Sequence, residues 1–341
     1  MQEKIIFGGY TKRGGKGIYQ ATLDTEAGKL NTPEPYITNI QGPTYLALAG
    51  QKYLYAVTAD SSQGGVTGFD ISANAPRQIN QILAAGSSPA YVAVDSNRNL
   101  LYSGNYHTGR IYVDQIKTDG TLVQTDCVEQ KGDGPRPEQD SSHVHYTDCT
   151  PDGRLVTINL GTDTVTTYEI SAEGKLIKPA SFHETPGFGP RHLVFHPELP
   201  IAYLVGELSS QVDVLRYNGN LGTFSSIQTI STIPNTWKEH NGAAAVRISN
   251  DGKFLYVSNR GHNSIVTYAI DAGGTLTLIN FTSTFGDFPR DFAIDPTGLY
   301  VVVANQNSDN ATLYLRDPVS GHLAPKQINV PLPEGVCVLF V

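Results

Sequence analysis

Phe254-Leu255-Tyr256-Val257-Ser258-Asn259-Arg260-Gly261-His262-Asn263-Ser264-Ile265-Val266-Thr267-Tyr268-Ala269-Ile270 reads as an apolar strand, a turn and an alternating strand. Versions of this pair recur along nearly the whole chain, and another strand precedes each one. The clearest openings are Ser88-Pro89-Ala90-Tyr91-Val92-Ala93-Val94-Asp95, Gly189-Pro190-Arg191-His192-Leu193-Val194-Phe195-His196-Pro197 and Phe288-Pro289-Arg290-Asp291-Phe292-Ala293-Ile294-Asp295-Pro296. Each unit closes on a Gly-x-Leu turn, at Gly120-Thr121-Leu122, Gly174-Lys175-Leu176, Gly274-Thr275-Leu276 and Gly321-His322-Leu323. Four short strands in a repeat of about 40–50 residues are the signature of a β-propeller blade. The expected fold is all-β: one seven-bladed propeller domain spanning 1–341, built of four-stranded antiparallel blades.

Six first strands start near Pro43, Pro89, Ser142, Pro190, Gly242 and Pro289. The seventh blade is split between the chain ends. Its N-terminal part holds three strands, Ile5–Tyr10, Gly17–Leu23 and Leu30–Ile37, and Gly335–Val341 supplies the fourth. That pairing removes edges that would otherwise invite aggregation. The stretches 131–141 and 234–241 read as insertions before first strands, and such insertions fall on loops beside functional sites.

The net charge of −8 argues against nucleic acid or an anionic membrane, since both reward clustered Lys and Arg. No apolar run of about 18 residues suggests a spanning helix. A strand begins at once with Lys4-Ile5-Ile6-Phe7, which leaves no room for a signal peptide, so a cytoplasmic protein is expected. Cys127, Cys149 and Cys337 lack metal-ligand spacing and read as buried free thiols of a reducing compartment.

In up-and-down blades, first-strand starts and second-strand ends share one face. Asn105, Glu207 and Arg260 at second-strand ends are thereby expected to meet His143, His145, Arg191, His192 and Arg290 at first-strand starts. Counting back six from Pro151, Pro197 and Pro296 gives His145, Arg191 and Arg290, three equivalent positions. His143 and His145 are two apart, so in a regular strand their rings face the same way. They also read as two solvated imidazoles, and no third ligand completes a zinc site. Glu207 needs a cationic partner, and Arg191 begins the strand beside it; a structural ion pair is the plain alternative. Several Arg residues around a cleft suit a small anion, because guanidinium binds carboxylate or phosphate in bidentate fashion. Gly14–Gly17 lacks the Lys-Ser/Thr and helix of a phosphate loop and reads as a hairpin turn. Asp119-Gly120, Asp152-Gly153 and Asp251-Gly252 are turn dipeptides. Trp237 either lines a lip or anchors its insertion.

These segments resemble the lactonase seven-bladed propellers, which include bacterial propeller-type 6-phosphogluconolactonases and the fungal carboxy-muconate lactonizing enzyme. The resemblance rests on Gly8-Gly9-Tyr10-Thr11, Gly104-Asn105-Tyr106, His143-Val144-His145, Gly189-Pro190-Arg191-His192 and Glu207-Leu208-Ser209-Ser210, and above all on Ser258-Asn259-Arg260-Gly261-His262-Asn263. It implies hydrolysis of a small anionic sugar lactone without cofactor or metal, by a monomer or weak homo-oligomer. It further implies a site of one His, two Arg and a Glu, falling on His145, Arg191, Arg260 and Glu207, with His143, His192, Asn105 and Arg290 as substrate contacts. Many relatives carry Ala-Ala-Glu where this chain has Ala243-Ala244-Ala245, a lost carboxylate that bears on which lactone is used. A lactonizing cycloisomerase of unsaturated diacids and a non-catalytic binding scaffold are the competing functions.

Overall fold

The computed structural model describes Met1–Val341. It is a seven-bladed β-propeller, built from seven antiparallel sheets whose strands follow chain order. Blades 1 to 6 span 46–85, 91–129, 144–183, 190–231, 242–283 and 289–331, with four strands each. Blade 7 joins Gly335–Phe340 to Gln2–Gly9, with Ile5 opposite Phe340 and Phe7 opposite Val338. The expected third N-terminal strand is broken into Lys29–Leu30 and Glu34–Ile37. Both pieces pair with Ile18–Asp24, and Pro33 between them has no N–H to donate to a ladder. The chain divides into two compact units, 1–39 with 192–217 and 225–341, and 40–191 with 218–224.

The repeat is held by a contact that explains its closing turn. In the second unit, the second-strand Tyr55 of blade 1 donates its hydroxyl to the carbonyl of Gly120 in blade 2, at 2.8 Å. In the first unit, Tyr203 donates to Gly274 at 3.0 Å and Tyr256 to Gly321 at 2.9 Å. Each acceptor is the glycine of a Gly-x-Leu turn, held at φ between +75 and +86°. A Cβ on Gly321 would stand 2.4 Å from the Phe254 ring, so this position excludes a side chain on space as well as on φ. The leucines that follow, Leu122, Leu276 and Leu323, are buried in the apolar clusters. Burial pushes the three phenols up, Tyr256 to about 12, so they stay protonated donors. Each such bond contributes about 1 kcal/mol.

Blade 7 carries its own fastening. The side chain of Glu334 is 4% exposed, and its Oε2 accepts hydrogen bonds from the backbone N–H of Arg13, Gly14 and Gly15 at 2.7, 3.0 and 2.9 Å. The Gly14–Gly17 turn joins two antiparallel strands as expected, and its amides hold a carboxylate from the other end of the chain. None of the three cysteines is in a disulfide, but only Cys337 is buried. Cys127 is exposed because it lies on Leu122–Glu129, the blade's outer strand, whose burial is sparse.

Candidate active site

In the first unit, Arg260 ends the strand Phe254–Arg260, and Gly261 turns the chain away at φ +116°. A Cβ on Gly261 would lie 2.2 Å from the carbonyl oxygen of His240. This turn aims Arg260 inward. Its Nη2 lies 2.8 Å from Glu207 Oε2, with the two side chains 7% and 22% exposed. Arg260 Nε donates to Gly242 O at 3.1 Å and Nη2 to Ala243 O at 3.2 Å. The face of Phe288 lies 5.1 Å from the guanidinium. Arg260 thus supplies Glu207 with a cation. Burial presses the Arg260 guanidinium below its ordinary pKa, Glu207 opposes this, and Arg290 adds to it.

Arg290 is half-buried, 5.7 Å from the centre of the Tyr10 ring, and makes no ion pair. Two guanidiniums and one carboxylate therefore leave this cluster with an excess positive charge. Such a cluster favours an anion, which would neutralise a charge held partly out of water.

In the second unit, Tyr106 follows the second strand of blade 2 and organises the imidazoles. Its ring stacks on His143, with centroids 4.2 Å apart and planes 7° apart, and meets His145 edge-on at 5.8 Å. Both imidazoles are buried, so the reading of two solvated rings does not hold. His143 Nδ1 donates to the Tyr106 carbonyl at 2.8 Å, and Nε2 lies 3.0 Å from the carboxylate of Asp140, which comes from the 131–141 insertion. Both nitrogens of His143 are thus engaged in holding the cluster.

Register explains why His145 and Arg290 share a role in their blades. In blade 3 the pairing slips between Val144 and Tyr146, and in blade 6 between Pro289 and Asp291. His145 and Arg290 are the bulged residues, each facing the end of its own second strand. Blade 5 slips between Ala243 and Val246 at the same place, where Ala244 and Ala245 present no functional group, and Ala245 is buried in an apolar cluster. A bulge breaks the two-residue alternation and re-aims a side chain.

Asn105 uses its amide within the fold. Its Nδ2 donates to Ser87 O at 2.7 Å, and its Oδ1 accepts from the N–H of His107 and Thr108, each at 3.1 Å. Arg191 and His192 are buried at the start of Pro190–Phe195 in blade 4. Trp237 is half-buried and sets its ring against His262 at 4.8 Å, which anchors the 234–241 insertion. Burial lowers the pKa of His262.

Comparison with known proteins decides the family. Residues 4–340 match the family described as lactonase, seven-bladed β-propeller. The chain belongs to this lactonase family. It is 48% identical over 340 residues to an uncharacterized Lactococcus lactis protein, YwcC, covering 99% of each chain. It is 37% identical over 343 residues to the 6-phosphogluconolactonase of Bacillus subtilis, covering 98% of this chain and 97% of the other. The solved structure of the Pseudomonas aeruginosa periplasmic gluconolactonase, PpgL, superposes with a TM-score of 0.93 at 32% identity, covering 100% of this chain and 99% of that one.

In this lactonase-family chain, aromatic side chains pack against the charged candidates. Tyr106, Phe288 and Tyr10 each contact a candidate site residue. Tyr10 and Tyr106 lie beside second- or first-strand ends that the repeat already marked, and that position was the available signal. Glu207 finding Arg260 from the neighbouring blade carried no sequence signal beyond the shared strand end.

Proposed function

We propose that this chain is a lactone hydrolase acting on a sugar lactone with an anionic tail, in the manner of a 6-phosphogluconolactonase. The observation that carries this reading is the buried Arg260–Glu207 pair beside Arg290, a site with one uncompensated positive charge. Family membership and the name of the Bacillus subtilis relative support the same reaction.

Opening a lactone requires an activated water, a donor for the tetrahedral oxyanion and an anchor for the tail. His145 is assigned as the base that takes a proton from water. Glu207 is less suited, since its carboxylate is held by Arg260. Arg191 is assigned to the oxyanion, where loss of one donor costs about 3–4 kcal/mol. Arg260 and Arg290 are assigned to the anionic tail, and His192 to the substrate's rim. His143 and Asn105 act as positioning residues, because their polar atoms are engaged within the fold.

The deciding assay measures ring opening of 6-phosphogluconolactone and unphosphorylated gluconolactone, and ring closure of a carboxymuconate, by purified protein. Hydrolysis above the spontaneous rate is expected for a sugar lactone. His145→Ala should lower the rate by about 10²–10⁴-fold. Arg191→Ala should lower it by about 10²–10³-fold. Folded His145→Ala and Arg191→Ala variants that both keep full activity would overturn the assignment, and turnover of the muconate alone would make the chain a lactonizing enzyme.

A further inference from the structure

An unpartnered carboxylate, Asp114, lies in the second unit and has no role in the reaction proposed above. Asn105, Asn159 and Asn305 end second strands, and Asn259, one residue before the end of its own, is the equivalent position in blade 5. Counting back four gives Leu101, Leu155, Leu255 and Val301. Their partners in the third strands are Asp114, Tyr168, Tyr268 and Tyr314. Three blades thus place a buried tyrosine where blade 2 has aspartate.

Each of those tyrosines reaches the end of the preceding blade. Tyr268 donates to Ser231 O and Tyr314 to Ser283 O, both at 2.6 Å, while the Tyr168 hydroxyl accepts from Gln130 at 3.1 Å. Asp114 is too short for that reach. It borders a cavity of about 20 Å³, lined also by Gly64, Ala84, Ser103, Tyr112 and Gln124. Ala84 belongs to the last strand of the preceding blade, Arg77–Ala85, where the tyrosine acceptors lie in the other blades. Asp114 is 2% exposed, its Oδ1 is buried without a hydrogen bond, and the cavity lining contains no Lys, Arg or His. Burial alone pushes its carboxyl up to about 7, with no neighbouring charge offsetting it.

We propose that this cavity is a binding site for one monovalent cation of about the size of water, potassium or ammonium, with Asp114 as its charged ligand. A buried carboxylate with no partner is strongly unfavourable, and a bound cation removes that penalty. The cavity has room for a small occupant of this kind. Ser103 and Gln124 add oxygen donors of the kind hard cations take. One carboxylate balances a single positive charge, whereas divalent sites recruit several acidic or carbonyl ligands. Gln124 is exposed and gives the ion a path in.

The test is thermal unfolding of the whole protein in KCl, NH4Cl, NaCl and tetramethylammonium chloride at one ionic strength. Expected is a higher Tm in potassium or ammonium than in tetramethylammonium, rising by about 2 °C per tenfold increase in cation above the binding midpoint. Asp114→Asn keeps the shape without the charge and should abolish this dependence. Equal Tm in all four salts, or a dependence that survives in Asp114→Asn, overturns the site. Should that variant not fold, wild-type crystals soaked in thallium(I) decide: an anomalous peak beside Asp114 supports the site, and its absence overturns it.

Discussion

Glu334→Gln tests the fastening that joins the two chain ends. The substitution keeps side-chain length and one acceptor oxygen but removes the charge. In the native protein that oxygen accepts three backbone N–H groups at 2.7, 3.0 and 2.9 Å, and Arg13 Nε lies 3.6 Å from the other. A hydrogen bond to a charged group contributes about 1.5–3 kcal/mol, but three donors on one oxygen are not additive, so a loss of about 2–4 kcal/mol is expected. At about 2.1 cal/mol/K per residue, a chain of 341 residues has an unfolding entropy of about 0.7 kcal/mol/K, and Tm should fall by about 3–6 °C. The effect has a pH signature. Burial raises the Glu334 pKa, but the N–H groups of Gly15, Arg13, Gly14 and Lys12 outweigh it and leave it below the usual value. A depressed carboxyl stabilises the fold above its unfolded pKa, and that increment disappears as pH falls through the folded one. The gap between wild type and variant, followed by calorimetry, should be full at pH 7 and close below about pH 4. A gap under about 1 °C at pH 7, or one that persists in acid, would refute the reasoning.

Further outcomes follow from the same geometry. Gly15→Ala places a Cβ 2.0 Å from the Tyr10 carbonyl oxygen and should lower the urea midpoint by at least as much as Glu334→Gln; an unchanged midpoint would contradict the packing described. Tyr268→Phe removes the donor to Ser231 O and should destabilise by about 1–3 kcal/mol in urea unfolding, with no change in lactone turnover. Arg290→Leu should lower kcat/KM about 10–100-fold for a phosphorylated lactone and far less for the unphosphorylated one, and equal losses on both would remove it from the tail site. His145→Gln should abolish the acid limb of the kcat/KM profile, and a limb that survives would assign the base elsewhere.

The repeat was legible because each blade restates the same turn and strand chemistry. The Gly-x-Leu turns were readable as punctuation, and Tyr55, Tyr203 and Tyr256 show that they also receive hydroxyls from the preceding blade. The seventh blade was legible from an arithmetic shortfall, three strands at one end and one at the other, although Pro33 splits the third. Candidate site residues were legible as polar side chains at strand ends. What stayed hidden depends on partners. The slips that leave His145 and Arg290 bulged are properties of two paired strands, invisible in either alone. Glu334 gave no signal, since its donors are backbone amides some 320 residues away. Asp114 reads as an ordinary polar alternation until the sheet register sets it opposite Leu101, at a position that three other blades fill with tyrosine.

The pairing of Gln2–Gly9 with Gly335–Phe340 has a consequence for biosynthesis. Gln2–Gly9 must wait for Gly335–Phe340 to be made. At about 5–20 residues per second, translation leaves that hydrogen-bonding edge bare for roughly 20–70 s, with Ile5, Ile6 and Phe7 beside it. Until then the nascent chain carries an unfinished sheet. Emergence of Gly335–Phe340, rather than collapse of any interior blade, is the step that makes this edge safe from its neighbours on the same polysome.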